Sequence, residues 1–234
     1  MQALGMATEN CRVIPIGSYG QLYPDTTTRA AARQKLAIAD NEFVILFFGI
    51  ISPYKGTEEL IEAFSHLSLP KARLVIVGQV RDQALKQRLQ QAAQMHSQID
   101  FYEGFVADDE VATYFKAADI VCLPFQAITT SSSVMLALGF GKPVVAPRLG
   151  VLRDLPASIG YFYSPTKPDG LEKSLLRAAT QPEKLAAMGR RAKNYSDSLS
   201  WESIADQTLQ VYSDLWKQLV AGQKTAAGAE ERRI

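Results

Sequence analysis

Short, uninterrupted apolar runs alternate with longer stretches of helical period along most of the chain. Phe43-Val44-Ile45-Leu46-Phe47-Phe48 and Leu74-Val75-Ile76-Val77 carry no polar position, the pattern of strands buried on both faces of a sheet. Strands are predicted at Arg12 to Ile16, Phe43 to Phe48, Arg73 to Val77, Ile99 to Glu103, Asp119 to Leu123 and Pro143 to Ala146. Helices are predicted between them at Arg29 to Ile38, Thr57 to Leu67, Asp82 to His96, Asp108 to Ala117 and Ser132 to Phe140. Such a βαβ alternation implies an α/β fold, a parallel sheet with helices on both faces. After Pro147 the pattern becomes helical, at Leu171 to Thr180, Pro182 to Tyr195 and Trp201 to Val220. In the last of these Ile204, Leu209, Tyr212, Leu215, Trp216 and Leu219 recur at helical spacing, so one face is made to pack. Residues 221–234, AGQKTAAGAEERRI, carry no apolar pattern and read as a disordered tail, and 1–10 as a leader or linker.

Composition narrows the functions open to such a fold. With 234 residues, 47% of them hydrophobic, the chain can bury the core of one large domain. The net charge of +1 offers no basic footprint for nucleic acid. Cys11 and Cys122 lie far apart with no metal spacing and read as thiols of a reducing compartment. No apolar run approaches a membrane span, so cytoplasmic residence is expected.

The chemistry is expected beyond the carboxyl ends of the strands, where open parallel sheets bind ligands. The segment from Phe125 to Pro147 reads as strand end, hydroxyl-rich loop, helix and next strand. Thr129, Thr130, Ser131, Ser132 and Ser133 stand directly before an apolar helix, whose unpaired N–H groups and dipole attract anions. The same serines could serve only as a helix cap. A second candidate is the loop from Gly49 to Gly56, in which Lys55 stands at a helix start with a charge suited to phosphate. Gly78, Gly104 and Arg148-Leu149-Gly150 end further strands at the same edge. There is no G-x-x-x-x-G-K-[ST], no G-x-G-x-x-G after the first strand and no G-x-S-x-G, which removes the main support for ATPase, dehydrogenase and serine-hydrolase readings. His66 and His96 have no partners at ligand spacing, so no metal site is expected.

The order Arg12-Val13-Ile14-Pro15-Ile16-Gly17, Phe47-Phe48-Gly49, Tyr54-Lys55-Gly56, Leu74 to Gly78, Gly104-Phe105-Val106, Ala117-Ala118-Asp119 and Gly141-Lys142-Pro143-Val144-Val145-Ala146 resembles the C-terminal half of GT-B glycosyltransferases. It is most similar to retaining family 4, the glycosyl transferases group 1, over about Cys11 to Val220. The resemblance implies a Rossmann-like domain that binds a nucleoside-diphosphate sugar. The donor diphosphate would lie near Gly49, Lys55, Thr130, Ser131, Ser132 and Ser133. Base and ribose would lie at Gly78, Gly104, Phe105 and Val106. No metal and no cofactor beyond the donor is implied. A transfer to a glycan or lipid-linked acceptor in envelope or exopolysaccharide synthesis is implied, with peripheral association at the inner face of the membrane compatible with it.

The chain also departs from the family pattern. An Arg usual after the first loop glycine is replaced by Ile50, and the two usual glutamates by Ile128 and Leu136. A bacterial subgroup with a Thr-Ser-rich loop has glycine where this chain has Ser132, and His where it has Ile16. A complete GT-B enzyme has a second, N-terminal domain that carries the acceptor site. The alternative to a transferase donor domain is therefore a noncatalytic nucleotide-sugar module that needs an N-terminal partner domain or subunit.

Overall fold

A computed structural model describes the backbone of residues 11–230 and the side chains of residues 11–220. The expected leader, residues 1–10, and residues 231–234 of the expected tail lie outside the described residues. By its contacts the chain divides into two compact units, one from Ser18 to Asp197 and one made of the residues before and after it.

The larger unit is built on six parallel strands, β1 (Phe43–Phe48), β2 (Ala72–Gly78), β3 (Ile99–Glu103), β4 (Ile120–Cys122), β5 (Val144–Pro147) and β6 (Gly160–Tyr163). Their spatial order is β3-β2-β1-β4-β5-β6, and every pairing is parallel. The crossovers carry α2 (Thr57–His66), α3 (Gln83–Met95), α4 (Asp108–Ala117) and α5 (Ser132–Gly139), with α1 (Arg29–Lys35) before β1 and α6 (Gly170–Thr180) and α7 (Pro182–Asp197) after β6. Strand order reverses between β1 and β4. A crevice opens at such a switch point because the following helices leave to opposite faces.

The apolar runs form the buried strands because both of their faces are covered. Val44, Ile45, Leu46 and Phe47 are at most 1% exposed. At the edge, β3 tolerates Asp100, whose carboxylate accepts from Arg73 Nη1 at 2.8 Å while Arg73 Nε reaches Glu42 at 3.0 Å. Farther along the same amino-terminal edge, before β1 and β4, the sheet is tied by Arg33, 1% exposed, which donates to the carbonyls of Ala117, Ala39, Asp40 and Glu42 and to Asp119 Oδ2 at 2.9 Å. Asp119 in turn accepts from Val44 N at 2.8 Å and from Arg29 at 2.7 Å. These carbonyls lie in the turn before β1 and at the end of α4, outside the sheet ladder, so the guanidinium supplies donors there.

Three sequence expectations differ from the structure. Arg12 to Ile16 is not a strand, and residues 11–19 have no regular structure; Pro15 has no N–H to give a ladder. The strand β6 was not expected; Gly-Tyr-Phe-Tyr is too short and too mixed to stand out from a turn. In α1 the helix stops at Lys35, because Ala37 takes a left-handed φ of 53°. The smaller unit is dominated by α8 (Trp201–Glu230), which runs past Val220. Ala, Gln, Lys and Glu favour helix there without an apolar stripe. Among the described residues no helix is long and apolar enough to cross a membrane.

Candidate functional site

Two loops meet over the switch point. The loop after β1 closes in a 3-10 turn, Pro53–Lys55, and Gly56 follows at φ 72° to start α2. Only glycine fits there, since a Cβ would stand 2.1 Å from the Pro124 carbonyl oxygen in the loop after β4. The two loops are clasped further by Gln126, whose N–H donates to the Tyr54 carbonyl at 2.8 Å and whose side-chain amide donates to Glu59. The third loop closes on them: a Cβ on Gly150 would lie 2.2 Å from the Ile128 carbonyl oxygen.

Lys55 is folded into this clasp. It is 9% exposed, and among the described residues its ammonium makes no ion pair and no hydrogen bond. Burial pushes its pKa below that of an ordinary lysine. It lines a cavity of about 520 Å3 with Tyr54, Phe125, Ile128 and the run Thr129 to Ser133. Partial removal of a cation from water with no counter-ion disfavours its charged form, and an anion entering the cavity would offset that cost.

The hydroxyl-rich run divides its labour. Ser131 is the N-cap of α5, and its Oγ accepts from Val134 N at 3.2 Å. The capping reading therefore holds for that hydroxyl. Ser132 and Ser133 occupy the first helical positions, where their N–H groups have no intrahelical acceptor. A Cβ placed on Gly49 would lie 2.9 Å from Ser133 Oγ and 3.6 Å from Lys55 Nζ. Gly49, Lys55 and Ser133 thus converge on one point, and Thr130 and Ser132 stand exposed at its rim. The buried Oγ1 of Thr57, two residues beyond Lys55, also has no hydrogen-bond partner, which the sequence did not signal.

Gly49 also borders a second, smaller cavity of about 210 Å3, lined by Gly78, Gly104, Phe105 and Val106 together with Tyr23, Phe48, Ile50, Gln79, Asp108 and Val111. Gly78 approaches the first loop so closely that a Cβ would lie 1.9 Å from the Gly49 carbonyl oxygen. All ten sequence-predicted site residues therefore line one or the other of these two cavities, and Gly49 of the smaller stands next to Ser133 and Lys55 of the larger. Tyr54, Tyr23 and Asp108 were not foreseen; the acidic first turn of α4 directly after a strand-end loop was the available sign of the last. Arg148, in contrast, is turned to structure. Its Nη1 donates to the carbonyls of Arg153 and Leu155 at 2.9 and 3.0 Å, and its guanidinium lies over Phe162. His66 pairs with Glu172 at 2.9 Å on the outside of α2. The positions of the usual glutamates hold Ile128, on the cavity wall, and Leu136, 7% exposed inside α5.

Known proteins share this fold. The chain is 28% identical over 194 residues to the D-inositol 3-phosphate glycosyltransferase of Segniliparus rotundus, a match that covers 79% of this chain and 42% of that protein. The chain thus spans less than half the length of that relative. Among solved structures, Anabaena HepE in complex with UDP and glucose superposes with a TM-score of 0.78 at 23% identity, over 91% of this chain and 59% of that one. The C-terminal domain of the group 1 family protein LpcC from Francisella tularensis superposes with a TM-score of 0.63 at 22% identity, over 78% of this chain and 97% of that domain. The family model for glycosyl transferases group 1 matches residues 28–195, so the chain belongs to that family and is the Rossmann-like C-terminal half of a GT-B fold.

Proposed function

We propose that this chain is the donor domain of a hexosyltransferase, binding a nucleoside-diphosphate sugar for transfer to a glycan or lipid-linked acceptor in envelope or exopolysaccharide assembly. The carrying observation is Lys55, a buried ammonium without a counter-ion that faces Ser133 and the start of α5 across Gly49. A diphosphate between them would receive the lysine charge, the Ser132 and Ser133 N–H groups and the Ser133 hydroxyl. The base would extend past Gly49 into the cavity of Gly78, Gly104, Phe105 and Val106. HepE holding UDP on the same fold supports this reading.

These groups suit the charge that glycosyl transfer develops. As the bond from the anomeric carbon to the leaving oxygen breaks, negative charge builds on the diphosphate. Fixed donors that are already oriented stabilise that charge more than they stabilise the bound donor. Residence in the cytoplasm, peripherally at the inner face of the membrane, fits the envelope reading.

Ile128 and Leu136 in the usual carboxylate positions, together with the span of less than half a curated relative, favour a second reading. In it the chain binds the nucleotide-sugar and needs an N-terminal domain or subunit to act. Purified chain incubated with UDP- and GDP-sugars separates the two. Release of free nucleotide supports chemistry by this chain, whereas a raised melting temperature without turnover supports the module. No shift with either nucleotide at millimolar concentration contradicts both.

A further inference from the structure

The smaller cavity carries a property that its glycine-rich floor does not explain. Phe105 is 85% exposed beside it, a large aromatic face held at the surface, and the space over Gly104 is open, with no atom within 4 Å of where a Cβ would stand. Of the residues that line the cavity, Asp108 alone is charged. It opens α4 with Asp109 and Glu110 behind it, exposed to solvent and near enough to Tyr23 to act on it electrostatically, and among the described residues its carboxylate makes no ion pair and no hydrogen bond. A slot of about 210 Å3 with an aromatic rim and one unengaged carboxylate suits a flat heterocycle that presents donors.

We propose that Asp108 reads guanine, and that the donor of this chain is a guanosine-diphosphate sugar. The inference rests on the donor-domain reading. Guanine carries N1–H and its 2-amino group side by side, two parallel donors matched to the two oxygens of a carboxylate. Uracil places its single N3–H between two carbonyl oxygens, which a carboxylate repels. Adenine sets its amino donor beside a ring nitrogen that can only accept. A carboxylate therefore discriminates among the three in one direction, and it penalises the wrong base as well as favouring the right one.

Calorimetric titration of GDP, UDP and ADP into the full chain, its Asp108→Ala variant and its Asp108→Asn variant tests this. GDP is expected to bind the unmodified chain about tenfold or more tighter than UDP or ADP. Asp108→Ala should weaken GDP by a similar factor and, with the repulsion removed, bind UDP somewhat tighter. Asp108→Asn offers one acceptor and one donor, which matches N3–H and a carbonyl of uracil, and should move the preference toward UDP. Equal or tighter binding of UDP or ADP by the unmodified chain overturns the guanine assignment alone. So does an equal loss for all three nucleotides in Asp108→Ala, the mark of a purely structural role. Absence of binding by every nucleotide overturns the donor-domain reading, and the guanine assignment with it.

Discussion

Burying an ammonium without a counter-ion costs folding stability, so Lys55 should behave as a group kept for a ligand. Lys55→Met is expected to leave the melting temperature of the unliganded chain unchanged or raised, and to weaken nucleoside-diphosphate binding about tenfold or more. Nucleoside binding without the phosphates should change little. A variant that loses stability while keeping its affinity would assign Lys55 to packing instead. Gly49 gives a second test. Its φ is 125°, and a Cβ there would stand 2.9 Å from Ser133 Oγ, so Gly49→Ala meets both strain and steric conflict. A loss of about 1–3 kcal/mol is expected by chemical denaturation, with loss of nucleotide binding at concentrations that saturate the parent chain. The sequence made Lys55 legible as a cation at a helix start. It could not show that Ser131 spends its hydroxyl on a cap while Ser133 faces the glycine, because that depends on side-chain rotamers and on a loop far earlier in the chain.

At the scale of elements, the parallel strands were legible because burial on both faces leaves no polar position in β1 and only one, Arg73, in β2. The short strand β6 was not, since four residues beginning with glycine give no period, and the apolar run at Arg12 to Ile16 misled because Pro15 breaks its hydrogen bonding. The ties at the amino-terminal edge of the sheet were equally hidden, since Arg33 reads as one more polar position on a helix. Arg33→Ala would leave Asp119 with only Arg29 and the Val44 N–H, and would take the guanidinium from four carbonyls, of which Ala39 keeps the Glu42 N–H. A loss of roughly 3–5 kcal/mol is expected in equilibrium unfolding, with Arg33→Lys recovering only part of it because an ammonium lacks the planar fork. Lys142, which donates to the Ala118 carbonyl at 2.8 Å, adds a pH dependence. Burial lowers its pKa from 10.5 to about 8, against a smaller opposing pull from Asp119. Below about pH 8 the folded chain holds a charge that the unfolded chain solvates better; between 8 and 10.5 the unfolded chain binds more protons, so stability rises with pH. Relative to Lys142→Met, the parent chain should therefore gain stability across that window, and parallel pH profiles of the two would contradict the burial argument.

For the whole molecule, six parallel strands in the order β3-β2-β1-β4-β5-β6 place every strand-end loop at one edge, so residues scattered from Tyr23 to Ser133 come to line two adjoining cavities. That convergence was legible as a principle of parallel sheets. The pairing of cavities through Gly49 was not, because it depends on how closely three loops nest. Family membership fixes the fold, while Ile50, Ile128 and Leu136 mark where, on the donor-domain reading proposed above, other groups would have to recognise the donor. The central claim is that the cavity of Lys55 and Ser133 receives a nucleoside diphosphate. Calorimetric titration of GDP and of UDP into the parent chain and into Lys55→Ala tests it most directly: saturable binding of at least one of them by the parent and a loss of about tenfold or more in the variant are predicted. No binding by the parent, or equal binding by the variant, would contradict the account.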